Sequence, residues 1–292
     1  MTDARRQPPH GGHGTDSAGQ PWAGRTFDAH PSAFAADDGA APELLITALT
    51  RFRELADAVP HTSAPPANGT ARAGGAAATA AALHEAHAAV VDAVRDARLL
   101  VPLIARAGET GVDDHGRTVD KTQELSLVTV RAPDGRTALP AFTSTEAMSR
   151  WNPDARPIPT PARRVALAAA GEGTDLVVLD PTSPTEFAIR RPALWAIAEA
   201  QPWMTALADE AVHEAFAVSA GGERSISRLQ LFGGDPHARL AGTEVVVVLT
   251  LASGLDRVAL DALVGRLQQR WAESDVIGRA VDSISVRLVA GA

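Results

Sequence analysis

The sequence predicts an α+β protein with two mixed-sheet α/β sandwich-like domains, preceded by a disordered tail and N-terminal helices. The first observation is a turn signal, Pro-Asp-Gly-Arg at 133–136, between strand-like runs at 124–132 and 137–144. The second is the apolar run DLVVLD at 175–180, which is typical of a strand buried on both faces. The third is the strand–strand–helix–strand order of residues 225–290, which can bury one helical stripe on a sheet.

Composition and turn residues divide the chain into three parts. Residues 1–26 are rich in Gly, Pro, His and Gln, which favours disorder. Residues 27–203 are predicted to form the first domain with its leading helices, and residues 204–292 the second, a β-β-α-β unit.

The first domain is predicted element by element from apolar periodicity and from Pro and Gly positions. The helices expected are one after Asp38, then 79–98, 145–150, 161–170 and 192–200. Strands are expected at 99–105, 124–132, 137–144, 175–180 and 185–191. The stretches 59–78, 107–123 and 151–162 are predicted to be loops or linkers.

The second domain follows the same logic from a boundary near Gln201-Pro202. Its predicted elements are a helix at 204–218, strands at 225–232 and 243–251, a helix at 255–272 and a strand at 283–290. The helix at 255–272 places Leu260, Leu263, Leu267 and Trp271 on one stripe, which predicts that it packs on the sheet.

Composition also narrows the function classes. The chain has 292 residues, a formal net charge of −8 and no cysteine. The acidic balance disfavours general nucleic-acid binding, and the lack of cysteine excludes disulfides and thiolate chemistry. With no secretory leader and no long apolar run, the cytoplasm is the expected location, without a membrane span.

Few residues stand out as candidates for a site. Trp151 precedes a proline-rich loop and could anchor a partner, although packing is the alternative. Arg163 and Arg164 form one of two tight basic pairs, Arg190-Arg191 being the other; either could be a solvated face or part of an anion patch. Asp180 ends a buried strand, where ligands gather in open α/β sheets, although a turn cap would explain it equally.

No catalytic, metal or cofactor motif is recognisable, so the sequence favours a non-catalytic binding or regulatory protein. A partner surface could use the hairpin 131–142 and Trp151, the partner being another protein or a small metabolite. The alternative is a small-molecule binder or enzyme for an amino acid or related anion, with a cleft at the end of strand 175–180. The sequence does not specify the oligomeric state.

The central part of the chain resembles the SseB N-terminal domain family in its high-GC bacterial form. The resemblance is carried by ARLLVPLIA, VRAPDGRTALPAFTSTEAMSRW, FAADDGAAPELLITAL, ARPIPTPARRVALAAAGEGTDLVVLDP and FAIRRPALWAIA, across residues 34–203. Residues from 223 onward resemble the C-terminal extension of many members. The resemblance implies a link to the serine-sensitivity phenotype that names the family, and it implies no reaction, cofactor or catalytic residue.

Overall fold

A computed structural model describes residues 34–59, 70–104, 110–112, 118–120, 128–171, 173–174 and 176–291. The predicted tail 1–26 lies outside them. Backbone contacts divide the chain into two units, 1–37 and 38–292. Within the first unit, residues 34–37 form a turn in which the Asp37 amide donates to the Phe34 carbonyl at 3.1 Å. Everything below concerns the second unit.

The helices of this unit lie close to the predicted ones. They are α1 (Glu43–Ala58), α2 (Thr70–Arg95), α3 (Thr145–Trp151), α4 (Ala162–Gly171), α5 (Arg191–Glu199), α6 (Glu210–Ser219), α7 (Arg257–Glu273) and α8 (Asp275–Ala280).

The strands form two mixed sheets and two small hairpin-like pairs. They are β1 (Arg98–Leu103), β2 (Thr110–Val112), β3 (Thr118–Asp120), β4 (Val130–Arg131), β5 (Thr137–Ala141), β6 (Arg156–Pro161), β7 (Val177–Leu179), β8 (Phe187–Ile189), β9 (Ile226–Gly233), β10 (Val245–Leu251) and β11 (Ile284–Ala290). Sheet orders are β4-β5-β7-β8, β11-β10-β9, β1-β6 and β2-β3. In the two larger sheets one strand pair is parallel and the others are antiparallel, so the predicted α+β class with two mixed sheets is confirmed.

The first core lies between these mixed-sheet strands and the helices α1, α2, α4 and α5. Its apolar side chains come from helical positions spaced three or four residues apart and from the buried strands. They include Leu45, Leu49, Phe52, Val90, Val94, Val165, Leu139, Val177, Leu179, Phe187 and Ile197. The predicted stripes of α1 and α2 are therefore the buried faces of those helices.

The second core lies on one face of the β11-β10-β9 sheet. Alternate residues of β10 pack against α6, α7 and α8, as the period of two along a strand requires. The members include Val245, Val247, Leu249, Leu263, Leu267, Trp271, Phe216 and Ile277. Trp203 packs on the first core and Ala206 belongs to the second. Because both cores lie in one compact unit, two separate domains meeting at 203/204 stay a prediction.

The prediction of a proline-punctuated loop at 151–162 was wrong for residues 156–161, which form β6 antiparallel to β1. The reason is the phase of the prolines. The Ala162 amide donates to the Ala97 carbonyl, so even-numbered residues bond to β1 and the odd-numbered positions of β6 face outward. Pro157, Pro159 and Pro161 occupy those outward positions, where a missing N–H costs no ladder bond.

Three other expectations need correction. The linker 59–78 ends earlier than predicted, because α2 begins at Thr70 and its alanine-rich sequence favours a helix despite two glycines. The loop 107–123 contains the short pair β2-β3. The helix expected from residue 204 begins only at Glu210, where the Asp209 side chain accepts the Ala211 amide as an N-cap.

The predicted hairpin turn is present. Gly135 has a φ of +86°, a conformation that glycine adopts without strain, and the Ala132 and Arg136 backbones bond across the turn. Only β4 (Val130–Arg131) pairs with β5 ahead of it, and most of the run 124–132 lies outside the described residues.

Candidate functional site

Trp151 ends α3, a short helix that begins next to the Ser144 N-cap. It is half-buried, and its ring centroid lies 5.2 Å from that of Phe142 at a tilt of 44°. It sits at the margin of a small cluster whose buried members are Leu100, Phe142, Met148 and Ala155 and whose half-buried members are Ile104, Ala147 and Trp151. The indole is thus fixed by packing on one side and reaches the surface on the other.

Asp180 follows β7 and is fully buried. Its Oδ1 accepts the Thr143 amide at 2.7 Å, and its Oδ2 accepts the hydroxyls of Thr143 and Thr185, both at 2.8 Å. Burial raises the pKa of Asp180 and outweighs these hydrogen bonds, which lower it. The carboxylate therefore ties the end of β7 to the segment after β5, and both oxygens are occupied by the protein itself.

Replacing Asp180 with alanine is expected to lower the free energy of unfolding by about 2–4 kcal/mol, because the Thr143 N–H and two hydroxyls lose their acceptor in a buried place. Alanine also suits the φ of +44° at this position poorly. Chemical denaturation monitored by circular dichroism measures the change. A matched Asp154→Ala substitution in an exposed turn should cost less than about 1 kcal/mol, and equal losses for the two variants would contradict the buried role.

Arg163 and Arg164 lie on the exposed side of α4. The guanidinium of Arg163 donates to the Ala198 carbonyl through Nε and Nη2 at 3.4 and 3.3 Å, which joins α4 to the end of α5. Arg164 points to solvent and fits the solvated alternative that the sequence left open.

These four residues occupy different surroundings. Trp151 borders one apolar cluster, Asp180 is sealed inside, and the arginines are on an exposed helix face. The two main grooves of the structure are lined by other residues, from α6 with β9 and from α7 with β11. The described geometry therefore offers no shared cavity for Asp180 with Arg163 and Trp151, and their joint role as an anion site stays a prediction.

Residues 75–196 match the model of the SseB protein N-terminal domain family. The chain contains an SseB N-terminal domain. The match covers all four candidate residues and ends within α5, so the resemblance of residues 223 onward to a family extension stays a prediction. No curated protein and no solved structure matches the chain.

A buried ion-pair network joins this SseB domain to the C-terminal residues. Arg190, which is 5% exposed, donates through Nη2 to Asp235 at 2.6 Å and through Nη1 to Asp282 at 2.9 Å. Arg136 binds both Asp282 oxygens, at 2.8 and 3.0 Å. The two aspartate side chains are each 3% exposed, so the charges are compensated away from solvent, as buried charges must be.

Glu244 completes this network. Its carboxylate accepts the Asp282 amide, and burial raises the pKa of Glu244 to about 7. Burial also acts to raise the pKa of Asp282, but the hydrogen bonds and charges of Arg136 and Arg190 outweigh it and hold that pKa below its usual range. The network thus contains one carboxylate held ionised and one that titrates near neutrality.

The sequence gave no sign of this role for Arg190, because an Arg-Arg pair is most often a solvated face. The two neighbours in fact differ: the Arg190 side chain is buried, whereas the Arg191 guanidinium lies 5.3 Å from the ring centroid of Trp195. The available signal was position, since Arg190 directly follows the fully buried strand β8.

Neither a metal cluster nor a membrane helix is found in the described part of the chain. Its His, Asp and Glu side chains form no group of three that could hold a metal ion. No helix among the same residues is long and apolar enough to span a bilayer.

Proposed function

We propose that the chain is a non-catalytic binding or regulatory protein of the cytoplasm, whose partner is another protein bound at Trp151. The observation that supports this most is the position of Trp151, held against Phe142 on one side and open to solvent on the other. Tryptophans placed in this way are enriched among residues that dominate binding energy.

The surface around Trp151 strengthens the proposal. Ile104 and Ala147 are half-buried members of the same cluster, and Ile158 of β6 is 42% exposed. An anchor surrounded by partly exposed apolar groups resembles the centre of a protein interface. The hairpin 131–142 contributes less than the sequence suggested, because Arg136 at its turn is bound to Asp282 within the chain.

The alternative function, a small-molecule site at the end of strand 175–180, has weaker support. A ligand there would have to displace Thr143 and Thr185 from Asp180, which is fully buried. A link to serine sensitivity, which the family name suggests, would then act through a protein partner and not through direct amino-acid binding.

Trp151→Ala is expected to reduce recovery of the partner in a quantitative pull-down by at least about tenfold, the loss typical of an interface anchor. Because the residue is half-buried, unfolding free energy should fall by only about 1–2 kcal/mol. The purified chain serves as bait in lysate of its source cells, with captured proteins quantified by mass spectrometry.

Trp195→Ala is the matched control, since Trp195 is 40% exposed on another helix. It should leave the same partner bound. Equal loss for both tryptophan variants, or a stability loss of about 3–5 kcal/mol for Trp151→Ala, would assign Trp151 to packing and overturn the proposal.

A further inference from the structure

The strand β9 forms one edge of the β11-β10-β9 sheet, and no described strand pairs with its outer side. Bonding alternates along an antiparallel pair, and the Gly234 amide donates to the Glu244 carbonyl across β10. By that alternation the N–H and C=O groups of Leu229 and Leu231 point away from β10. These groups are the ones that an added strand would bind.

A groove of about 490 Å³ runs along this edge, between β9 and α6. Leu229, Leu231 and Ala217 provide apolar lining, and Arg228 and Gln230 stand on the opposite face of the strand. An extended chain placed here would gain main-chain hydrogen bonds together with side-chain contacts on both faces, which is how peptides are bound by strand addition.

The chain protects another sheet edge but leaves this one open. In β6 the three outward positions are prolines, which cannot donate to a further strand. The sequence of β9, ISRLQLFG, contains neither proline nor lysine, the residues that commonly block edges. The contrast indicates that β9 is available for pairing.

Charge selects among possible occupants. Although the chain has a net charge of −8, the titratable side chains that line the groove are His213 and Arg228, with no carboxylate. The nearby Glu223 is already bound to Arg266 and Arg270. A second copy of β9 would add another Arg228 to the same short edge, which is unfavourable.

We propose that β9 binds an extended acidic segment of a partner protein, which adds to the sheet as a fourth strand. Main-chain hydrogen bonds to Leu229 and Leu231 hold the segment, and carboxylates of the segment contact Arg228. This surface is separate from that of Trp151, so each can fail without the other.

The test uses two capped peptides of the same eight-residue length as β9, one alternating Val and Glu and the other alternating Val and Lys. Amide hydrogen exchange of the full chain is followed by NMR. The Val-Glu peptide should slow exchange at Leu229 and Leu231, and the Val-Lys peptide should bind at least about fivefold more weakly.

Arg228→Glu should reverse that preference, whereas Arg287→Glu should not. Arg287 is a matched control because it is also exposed and lies on the same sheet face, but on the other edge strand, β11. The proposal is overturned if neither peptide slows exchange at Leu229 and Leu231, if the two arginine variants behave alike, or if protection appears on β11. It is also overturned if the chain alone forms a dimer that protects those amides, since the occupant would then be a second copy.

Discussion

Replacing Arg190 with alanine is expected to lower the free energy of unfolding by about 3–5 kcal/mol. The substitution leaves Asp235 without its ionic partner and Asp282 with Arg136 alone, in a place where both aspartate side chains are 3% exposed. The Gly242 carbonyl and the Ser283 hydroxyl lose hydrogen bonds as well. Urea unfolding followed by tryptophan fluorescence measures the loss.

Arg191→Ala is the control, because it removes the same charge from the next residue. Arg191 contacts the Trp195 ring and makes long hydrogen bonds of 3.4 Å, so its loss should cost about 1 kcal/mol or less. If both variants lose the same stability, the buried network does not hold the C-terminal residues to the SseB domain in the way described.

The class of the fold could be predicted because local signals agreed with one another. The turn at Gly135, the buried run before Asp180 and the stripe on α7 each depend on neighbours in sequence. Such patterns identify elements and their buried faces without knowledge of their partners. The boundaries of α1, β10 and β11 therefore lie within a few residues of those predicted.

The strand β6 shows where local reading fails. Three prolines in six residues normally argue against a strand, and their spacing alone does not reveal which side is bonded. Only the pairing with β1 shows that every proline nitrogen faces outward. What decides the structure there is the phase against a strand more than fifty residues earlier.

The candidate site was harder to predict for the same reason. Arg190 is buried by partners 45 and 92 residues away, which no local pattern announces. Asp180 was interpretable as a cap or a ligand group, and its acceptor role toward Thr143 comes from a segment 37 residues earlier. Sequence reasoning identified residues with unusual positions, but long-range contacts determined what each of them does.

His87 illustrates a residue whose sequence position and structure agree and give a measurable consequence. It lies on the apolar stripe of α2, and its ring centroid is 5.3 Å from that of Phe52, 5.0 Å from Phe187 and 5.1 Å from Trp203. Although the residue as a whole is half-buried, the imidazole lies among these rings. Burial, reinforced by His84, Arg190 and Arg53, lowers the pKa of His87 to about 3.

Acid should therefore destabilise the protein through His87. In the unfolded chain the imidazole takes up a proton below its ordinary pKa of 6.5, whereas in the folded chain it stays neutral down to about 3. The stabilisation is complete above 6.5 and is lost by about 1.4 kcal/mol for each pH unit below it. Between pH 7 and pH 4.5 the loss due to His87 should be about 2–3 kcal/mol.

His87→Leu removes this proton uptake while keeping an apolar side chain between the rings. The unfolding free energy of the variant should fall less steeply with acid than that of the wild type, and the difference between the two curves isolates His87 from Glu244. Burial raises the Glu244 pKa, so protonation of Glu244 favours the folded state and acts in the opposite direction. His213→Leu, at an exposed histidine, should leave the slope unchanged. Parallel curves for His87→Leu and wild type would mean that the imidazole is already protonated, or solvated, in the folded protein.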